Sequence, residues 1–336
     1  MPEFRYNILT GEWVIIATER SKRPIEFAQS VVRPCLPMHD PNCPFCPGNE
    51  SHTTAEIERR NAPDGTWQTR VIKNKFPALD ELAKPDHGGD FFHTRINGFG
   101  VHEVVVDSPR HDATITRLSL PDIETILYTY RSRYRALELD ERVKHIIIFK
   151  NNGDKAGSSL IHPHSQIIAT PIVSGRVDAR ISTTREYRKA SGRCLICDMV
   201  RSEIESNRRI VDKNEHFASF LPYAALSSYH TWVFPLRHNA HFGRIEDEEI
   251  TALAQILRNV IRGHERLLNY PDYNFVVRSA PVGCANDDYH WYISIIPRLS
   301  KTAGFEIGSN IYINGTLPET GALNLRNIID VLKDDM

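Results

Sequence analysis

No stretch of this 336-residue chain approaches the roughly 20 consecutive apolar residues that a membrane-spanning helix needs. The opening residues Met1-Pro2-Glu3-Phe4-Arg5 lack the apolar core of a secretory leader. Excess charge is lacking too: 41 Lys and Arg stand against 42 Asp and Glu, a formal net charge of −1. Without a basic block, nucleic acid is excluded as the main partner, because phosphate-backbone binding depends on clustered Lys and Arg. The expectation is a soluble, cytoplasmic protein with neither membrane nor nucleic acid as partner. Cysteine is sparse, six in all, and in a reducing compartment these are expected free or metal-bound rather than disulfide-bonded.

Four of the six cysteines form two C-x-x-C pairs, Cys43/Cys46 and Cys194/Cys197; Cys35 and Cys284 stand apart and carry no reading. Histidines follow the pairs at matching intervals. His162 comes 51 residues after His111, and His290 comes 52 after His238. The intervening sequence matches as well. Val104-Val105-Val106 and Trp232-Val233-Phe234 read as strands that run into His111 and His238. A helix is predicted after each. The first opens on the capping signal Ser119-Leu120-Pro121-Asp122 and keeps helical spacing from Ile123 to Leu137. The second opens on the acidic turn Glu246-Asp247-Glu248-Glu249 and runs from Ile250 to His264. Strands at Ile146–Phe149 and Phe275–Val277 come next. One ancestral unit used twice accounts for this pattern, with halves at 1–170 and 171–336 and a connecting segment at 170–193.

Each set of two cysteines and two histidines (Cys43, Cys46, His111 and His162; Cys194, Cys197, His238 and His290) has the composition of a closed structural zinc site, in which four protein ligands leave no open position. A redox C-x-x-C is the alternative, but neither pair begins a βαβ unit in the thioredoxin manner.

The run His162-Pro163-His164-Ser165-Gln166 aligns with His290-Trp291-Tyr292-Ile293-Ser294. What both copies keep, His162 and His290, reads as metal-binding. What only one copy has, His164 and Gln166, reads as chemistry. Alternate residues of a strand share a face, so a neutral histidine nucleophile and an uncharged amide donor point the same way. Taken alone, His-x-His in a strand equally fits a pair of core histidines. Gly157-Ser158-Ser159 just upstream offers N–H groups to a phosphate. His102, His145, His230 and His241 read as packing or capping residues.

Together these features resemble the galactose-1-phosphate uridylyltransferase family of the histidine-triad superfamily, over nearly the whole chain. Further motifs carry the resemblance: Thr10-Gly11-Glu12-Trp13-Val14 with Arg20-Ser21-Lys22-Arg23-Pro24, Cys43-Pro44-Phe45-Cys46, Asn74-Lys75-Phe76-Pro77-Ala78-Leu79 and Gly304-Phe305-Glu306. The resemblance implies an α+β fold of two histidine-triad-like repeats, an antiparallel half-barrel sheet with packed helices. It also implies a homodimer with the site near the subunit boundary. By the same resemblance His164 forms a covalent nucleotidyl adduct and Gln166 bonds the transferring phosphoryl group. Arg20, Arg23, Asn74, Asn151, Gly157 and Ser159 contact the nucleotide and its phosphates, and Gly304, Phe305 and Glu306 reach the sugar. Hydrolases of the superfamily carry a third histidine where Gln166 stands, so the amide favours transfer over hydrolysis.

Two features depart from the bacterial members. Both metal sets are Cys₂His₂, as in a plant-type branch that acts as an ADP-glucose phosphorylase, and no Gln follows Glu306, the last being Gln255. The expected activity is uridylyl transfer between UDP-glucose and galactose 1-phosphate, with adenylyl transfer from ADP-glucose to phosphate as the alternative. A zinc-scaffolded nucleotide-binding module without turnover is the third reading.

Overall fold

The computed structural model describes residues 1–22 and 36–334. A hairpin of β1 (Glu3–Asn7) and β2 (Glu12–Ile16) leads the chain. The first repeat then supplies β3 (Glu56–Asn61), β4 (Trp67–Lys73), β7 (Val101–Val106), α1 (Leu120–Leu137), β8 (His145–Asn152) and β9 (His164–Thr170). A small pair, β5 (His87–Gly88) and β6 (Arg95–Ile96), interrupts it. After α2 (Gly175–Ser191) and α3 (Leu195–Ser206), the second repeat supplies β10 (Ile210–Lys213), β11 (Phe217–Phe220), β12 (Thr231–Pro235), α4 (Asp247–Leu268), β13 (Tyr273–Arg278) and β14 (Tyr292–Pro297). The chain ends in α5 (Gly304–Ser309), β15 (Tyr312–Asn314) and α6 (Pro318–Asp334).

Ten strands join one antiparallel sheet in the order β10-β11-β12-β14-β13-β8-β9-β7-β4-β3. Outward from the central β8–β13 pair, the halves read β8-β9-β7-β4-β3 and β13-β14-β12-β11-β10. That is the same connectivity twice, as the Cys and His spacing predicted, and the fold is the expected α+β with a large antiparallel sheet.

Strand alternation sorts the sheet residues between two faces. The back face (Val71, Val105, Ile146, Ile148, Ile167, Phe275, Val277, Ile293 and others) packs against α1 and α4 in one core shared by both repeats. Both helices start where the sequence indicates. Ser119 Oγ accepts from the Asp122 N–H and the Asp122 carboxylate accepts from the Ser119 N–H, each at 3.3 Å. Glu249 reaches back to the Glu246 N–H at 2.8 Å. Gly263 of α4 is where α6 crosses closely, since a Cβ there would stand 2.8 Å from Ile329 and 2.9 Å from Leu325.

The 170–193 segment, expected as a connection, is largely the helix α2. It buries only Arg180, Ile181 and Thr184, too little for an apolar stripe in the sequence. Its polar face is held by ion pairs instead, Arg185 to Asp288 and Arg188 to Asp287, both at 2.7 Å. Among the described residues no helix is long and apolar enough to cross a membrane.

Candidate active site and metal centres

The front face of the sheet carries the chemistry. In the first repeat the loop Cys43–Cys46 folds over β4 and β7, where Phe45, Trp67, Ile72, Val104 and Val106 form a small cluster with the two cysteines. This brings all eight predicted metal ligands into two groups, each with its ligand atoms within 4.8 Å of one another. Cys46 Sγ lies 3.5 Å from His111 Nδ1 and 3.6 Å from His162 Nδ1. Cys197 Sγ lies 3.3 Å from His238 Nδ1 and 3.4 Å from His290 Nδ1. A tetrahedral zinc with ordinary Zn–S and Zn–N bonds has an S···N edge of about 3.5 Å.

The outer partners agree with that chemistry. His162, His238 and His290 each donate Nε2–H to a backbone carbonyl, of Ser108 (2.8 Å), Asn286 (2.9 Å) and Pro235 (3.0 Å). The Nδ1 lone pairs are thereby turned inward toward the thiols, as metal-binding histidines require. The donor set and the tautomers both fit a metal ion. The first set is wholly buried, whereas Cys194, Cys197 and His238 of the second are half-buried.

Two residues on from His162, His164 opens β9 and sits 6 % exposed between two cavities. One, of about 550 Å³, is walled by Phe45, Ile72 and Val104 and reached by Asn74, Ser159 and Gln166. The other, of about 300 Å³, is lined by Asn151, Gly153 and Ser159 among others. His164 Nδ1–H donates to its neighbour's carbonyl, His162 O, at 2.9 Å, which leaves the lone pair on Nε2. Burial lowers the His164 pKa below the ordinary histidine value, so the ring is neutral. The Phe45 ring packs against it edge-on at 5.6 Å.

Behind the strand stands a polar network that sequence reasoning missed. Lys150 Nζ donates to Asp107 Oδ2 at 2.6 Å and to the His164 carbonyl at 3.1 Å, with both side chains 2 % exposed. Ser165 donates to the same Asp107 oxygen at 2.9 Å and takes a hydrogen bond from Tyr130 of α1. A buried pair of this kind contributes little net stability; here it fixes the backbone that carries His164. Lys150 and Asp107 stand 43 residues apart, and nothing local in the sequence signals that they meet.

Of the remaining predicted residues, Asn74, Asn151 and Ser159 line the cavities. Gly157 adopts φ +85° beside the Asn151 amide, and its N–H is already given to Asp154 O at 2.8 Å. It therefore shapes the turn rather than offering a free N–H. Arg20 lies on the short helical turn Thr18–Lys22 and lines neither cavity. Gly304, Phe305 and Glu306 open α5, where Glu306 caps the Ala303 N–H at 3.0 Å, and they also stand outside both cavities within one chain. Arg23 falls outside the described residues.

The sequence of residues 1–174 matches the model for the galactose-1-phosphate uridyl transferase N-terminal domain, and residues 180–330 match that for its C-terminal domain. This chain belongs to that family. It is a hexose-1-phosphate nucleotidyltransferase-family enzyme, as the site residues led one to expect. The chain is 33% identical to ADP-glucose phosphorylase from Arabidopsis thaliana, over 97% of this chain and 93% of the relative. It is 29% identical to galactose-1-phosphate uridylyltransferase from Thermotoga maritima, over 97% and 98%. A solved structure of the Arabidopsis phosphorylase with bound ADP-glucose superposes with a TM-score of 0.82 at 32% identity, covering 97% of this chain and 99% of the other.

Proposed function

We propose that this enzyme transfers a nucleotidyl group from a nucleoside-diphosphate hexose by way of a covalent adduct on His164. The observation that carries the reading is the placement of His164 Nε2, without a partner among the described residues, between a mainly apolar cavity fit for a base and a second cavity where Asn151 and Ser159 can meet phosphates. The Nε2 lone pair attacks the α-phosphorus as the bond to hexose 1-phosphate breaks. A second phosphate then attacks, the P–N bond breaks, and the ring returns to its neutral form. Dividing one displacement into two is the advantage of a nucleophile that is also a good leaving group. Gln166 donates an amide N–H to a non-bridging oxygen, while Asn151 and Ser159 hold the departing phosphate, preorganised donors being the main source of catalysis in such transfers.

Zinc held by Cys43, Cys46, His111 and His162 would anchor the strand bearing His164, and zinc on Cys194, Cys197, His238 and His290 would tie α3 to the second repeat. Gly304, Phe305 and Glu306 serve the site of a partner copy in the homodimer we assign, and Arg20 and Arg23 balance phosphate charge.

Family membership supports UDP-glucose and galactose 1-phosphate as substrates. Adenylyl transfer from ADP-glucose to phosphate is the second reading, favoured by the 33% identity to the Arabidopsis phosphorylase and by the ADP-glucose bound in that relative's structure. Intact-protein mass after mixing with either nucleotide sugar, without acceptor, tests both. A uridylyl mass on His164 discharged by galactose 1-phosphate supports the first, and an adenylyl mass discharged by phosphate supports the second. No adduct with either removes the mechanism.

A further inference from the structure

An amide can face a phosphoryl oxygen in two ways, and only one is useful. With its NH₂ forward it donates; turned over, its carbonyl oxygen sets lone pairs against a negatively charged oxygen. Gln166 therefore needs something to hold its carbonyl end. His102 of β7 meets that need. Val104 pairs with Gln166 across the β7–β9 ladder, so His102, two residues earlier, is its diagonal neighbour on the front face. His102 Nε2 lies 2.7 Å from Gln166 Oε1.

The proton's position on His102 follows from its other contacts. The Ala78 N–H donates to Nδ1 at 3.2 Å, so Nδ1 is unprotonated and Nε2 carries the hydrogen. That hydrogen goes to Gln166 Oε1. Asn74 Nδ2, 3.0 Å from the same nitrogen, has no lone pair to receive it, because Asn74 has turned its own oxygen to the Phe76 N–H at 2.8 Å. Gln166 is thus held by its oxygen, and its NH₂ is left for the cavity that also contains His164.

The site orients its other amide in the same manner. Asn274 of the second repeat donates Nδ2–H to Asn151 Oδ1 and to Ala156 O, both at 2.8 Å, which leaves the Asn151 NH₂ on the cavity side. The second repeat provides a control. His230 occupies the place of His102 and lies 2.7 Å from Ser294 Oγ, the counterpart of Gln166. There the Trp232 indole N–H donates to His230 Nε2 at 3.2 Å, and Nδ1 has no partner among the described residues. The tautomer is the opposite one, so the histidine in the copy without a nucleophile cannot act as a donor through Nε2. At His102 the backbone Ala78 N–H, which cannot turn away, sets the donor at Nε2 although the Asn74 amide nitrogen lies beside it.

We infer that His102 is the positioning residue of this transferase: its Nε2–H fixes the Gln166 amide with the NH₂ toward the transferring phosphoryl group. The inference rests on the proposed adduct at His164 and deepens it. His102 itself touches no reacting atom; its effect on the chemistry passes through Gln166, while its Nδ1 holds the Ala78 backbone N–H. Removing the donor should therefore slow phosphorus chemistry without weakening the binding of the nucleotide sugar.

The test is the rate of adduct formation, followed by quenched intact mass in the full-length protein with the nucleotide sugar that labels wild type. His102→Phe keeps ring volume and loses the donor; His102→Leu replaces it should the phenyl variant not melt cooperatively. Loss of one preorganised donor costs on the order of 100-fold, so a roughly 10- to 100-fold slower rate is expected, with half-saturation changed less than about 3-fold. His102→Gln, which returns an N–H near the same point, should recover most of the rate. In a Gln166→Ala background, His102→Phe should add nothing. A wild-type rate in the His102 variants, or a loss that multiplies with that of Gln166→Ala, overturns the inference while leaving the adduct in place. Absence of any adduct in wild type overturns the proposed function instead.

Discussion

The two repeats differ most on the front face of their shared sheet. In the first, His164 and Gln166 look into open cavities. In the second, the same strand positions hold Tyr292 and Ser294, and the face is closed. Leu9 from the leading hairpin, Ile181 of α2, and Ile196 and Val200 of α3 pack there against Phe220, Trp232, Phe234 and Tyr292. The Tyr292 ring stacks on Phe234 at 4.7 Å, occupying ground that belongs to a nucleophile in the first copy. Both copies nevertheless keep the Cys₂His₂ set and the same strand connectivity. The two halves share what holds the unit together, and in one of them packing fills the ground that is a cavity in the other. The site then draws on both: Asn274 of the closed repeat orients Asn151 of the open one.

The sharpest way to break this comparison is to exchange the residues that differ. His164→Asn should lower turnover by about 10⁴-fold or more and abolish the adduct, as removing a covalent nucleophile generally does. Tyr292→His should create no second adduct, because its strand position lies under Leu9, Ile181 and aromatic rings with no room for a nucleotide. Mass spectrometry with peptide mapping reads both. Labelling of the new histidine would show that the second face opens in solution.

A gentler probe uses the metals. The first ligand set is fully buried and the second half-buried, so a chelator should strip the second repeat first. At about one zinc equivalent per chain, adduct formation should persist while thermal stability has already fallen. Cys46→Ser should do the reverse of Cys197→Ser, losing adduct formation together with one zinc, because His162, in the same cluster as Cys46, is the neighbour of His164. Zinc content measured alongside labelling rate decides it. Activity lost in step with the first equivalent removed would contradict the exposure argument.

Much of this was legible in sequence because the repeat could be laid on itself. Cys and His spacing gave the two Cys₂His₂ clusters, and the mismatch of His164 with Tyr292 marked the strand where the two copies part. Helices α1 and α4 announced themselves through caps and apolar spacing. What escaped was whatever depends on cross-strand neighbours or on ion pairs. His102 read as a packing histidine, although its offset of two from a strand residue facing Gln166, repeated at His230, was a usable signal. Lys150 and Asp107 are 43 residues apart and meet only in the folded sheet. Helix α2 lacks an apolar stripe and is held by carboxylates of a distant loop. The segment 304–306 is proposed for the sugar from family likeness alone, and a single chain does not bring it to the cavities.

The closed repeat should also leave a trace in acid. Burial pushes His230 and His264 down to about 3, with Arg278 and Arg180 adding repulsion at His230. Both are neutral in the folded protein, whereas in the unfolded chain they titrate near 6.5. Between about pH 6.5 and 3 the unfolded state therefore binds protons that the folded state refuses. Stability is fully present above pH 6.5 and falls as pH drops, each histidine contributing a slope of up to about 1.4 kcal/mol per pH unit. His264, bonded through Nε2 to Thr231 at 3.1 Å, is the cleaner of the two to replace, since it stands apart from the Ser294 position. Urea unfolding at pH 6 and pH 5 should show His264→Gln losing less stability over that interval than wild type, by about 1 kcal/mol. An unchanged slope would mean that protons, and hence water, reach the buried core between α4 and the back of the sheet, where His264 sits.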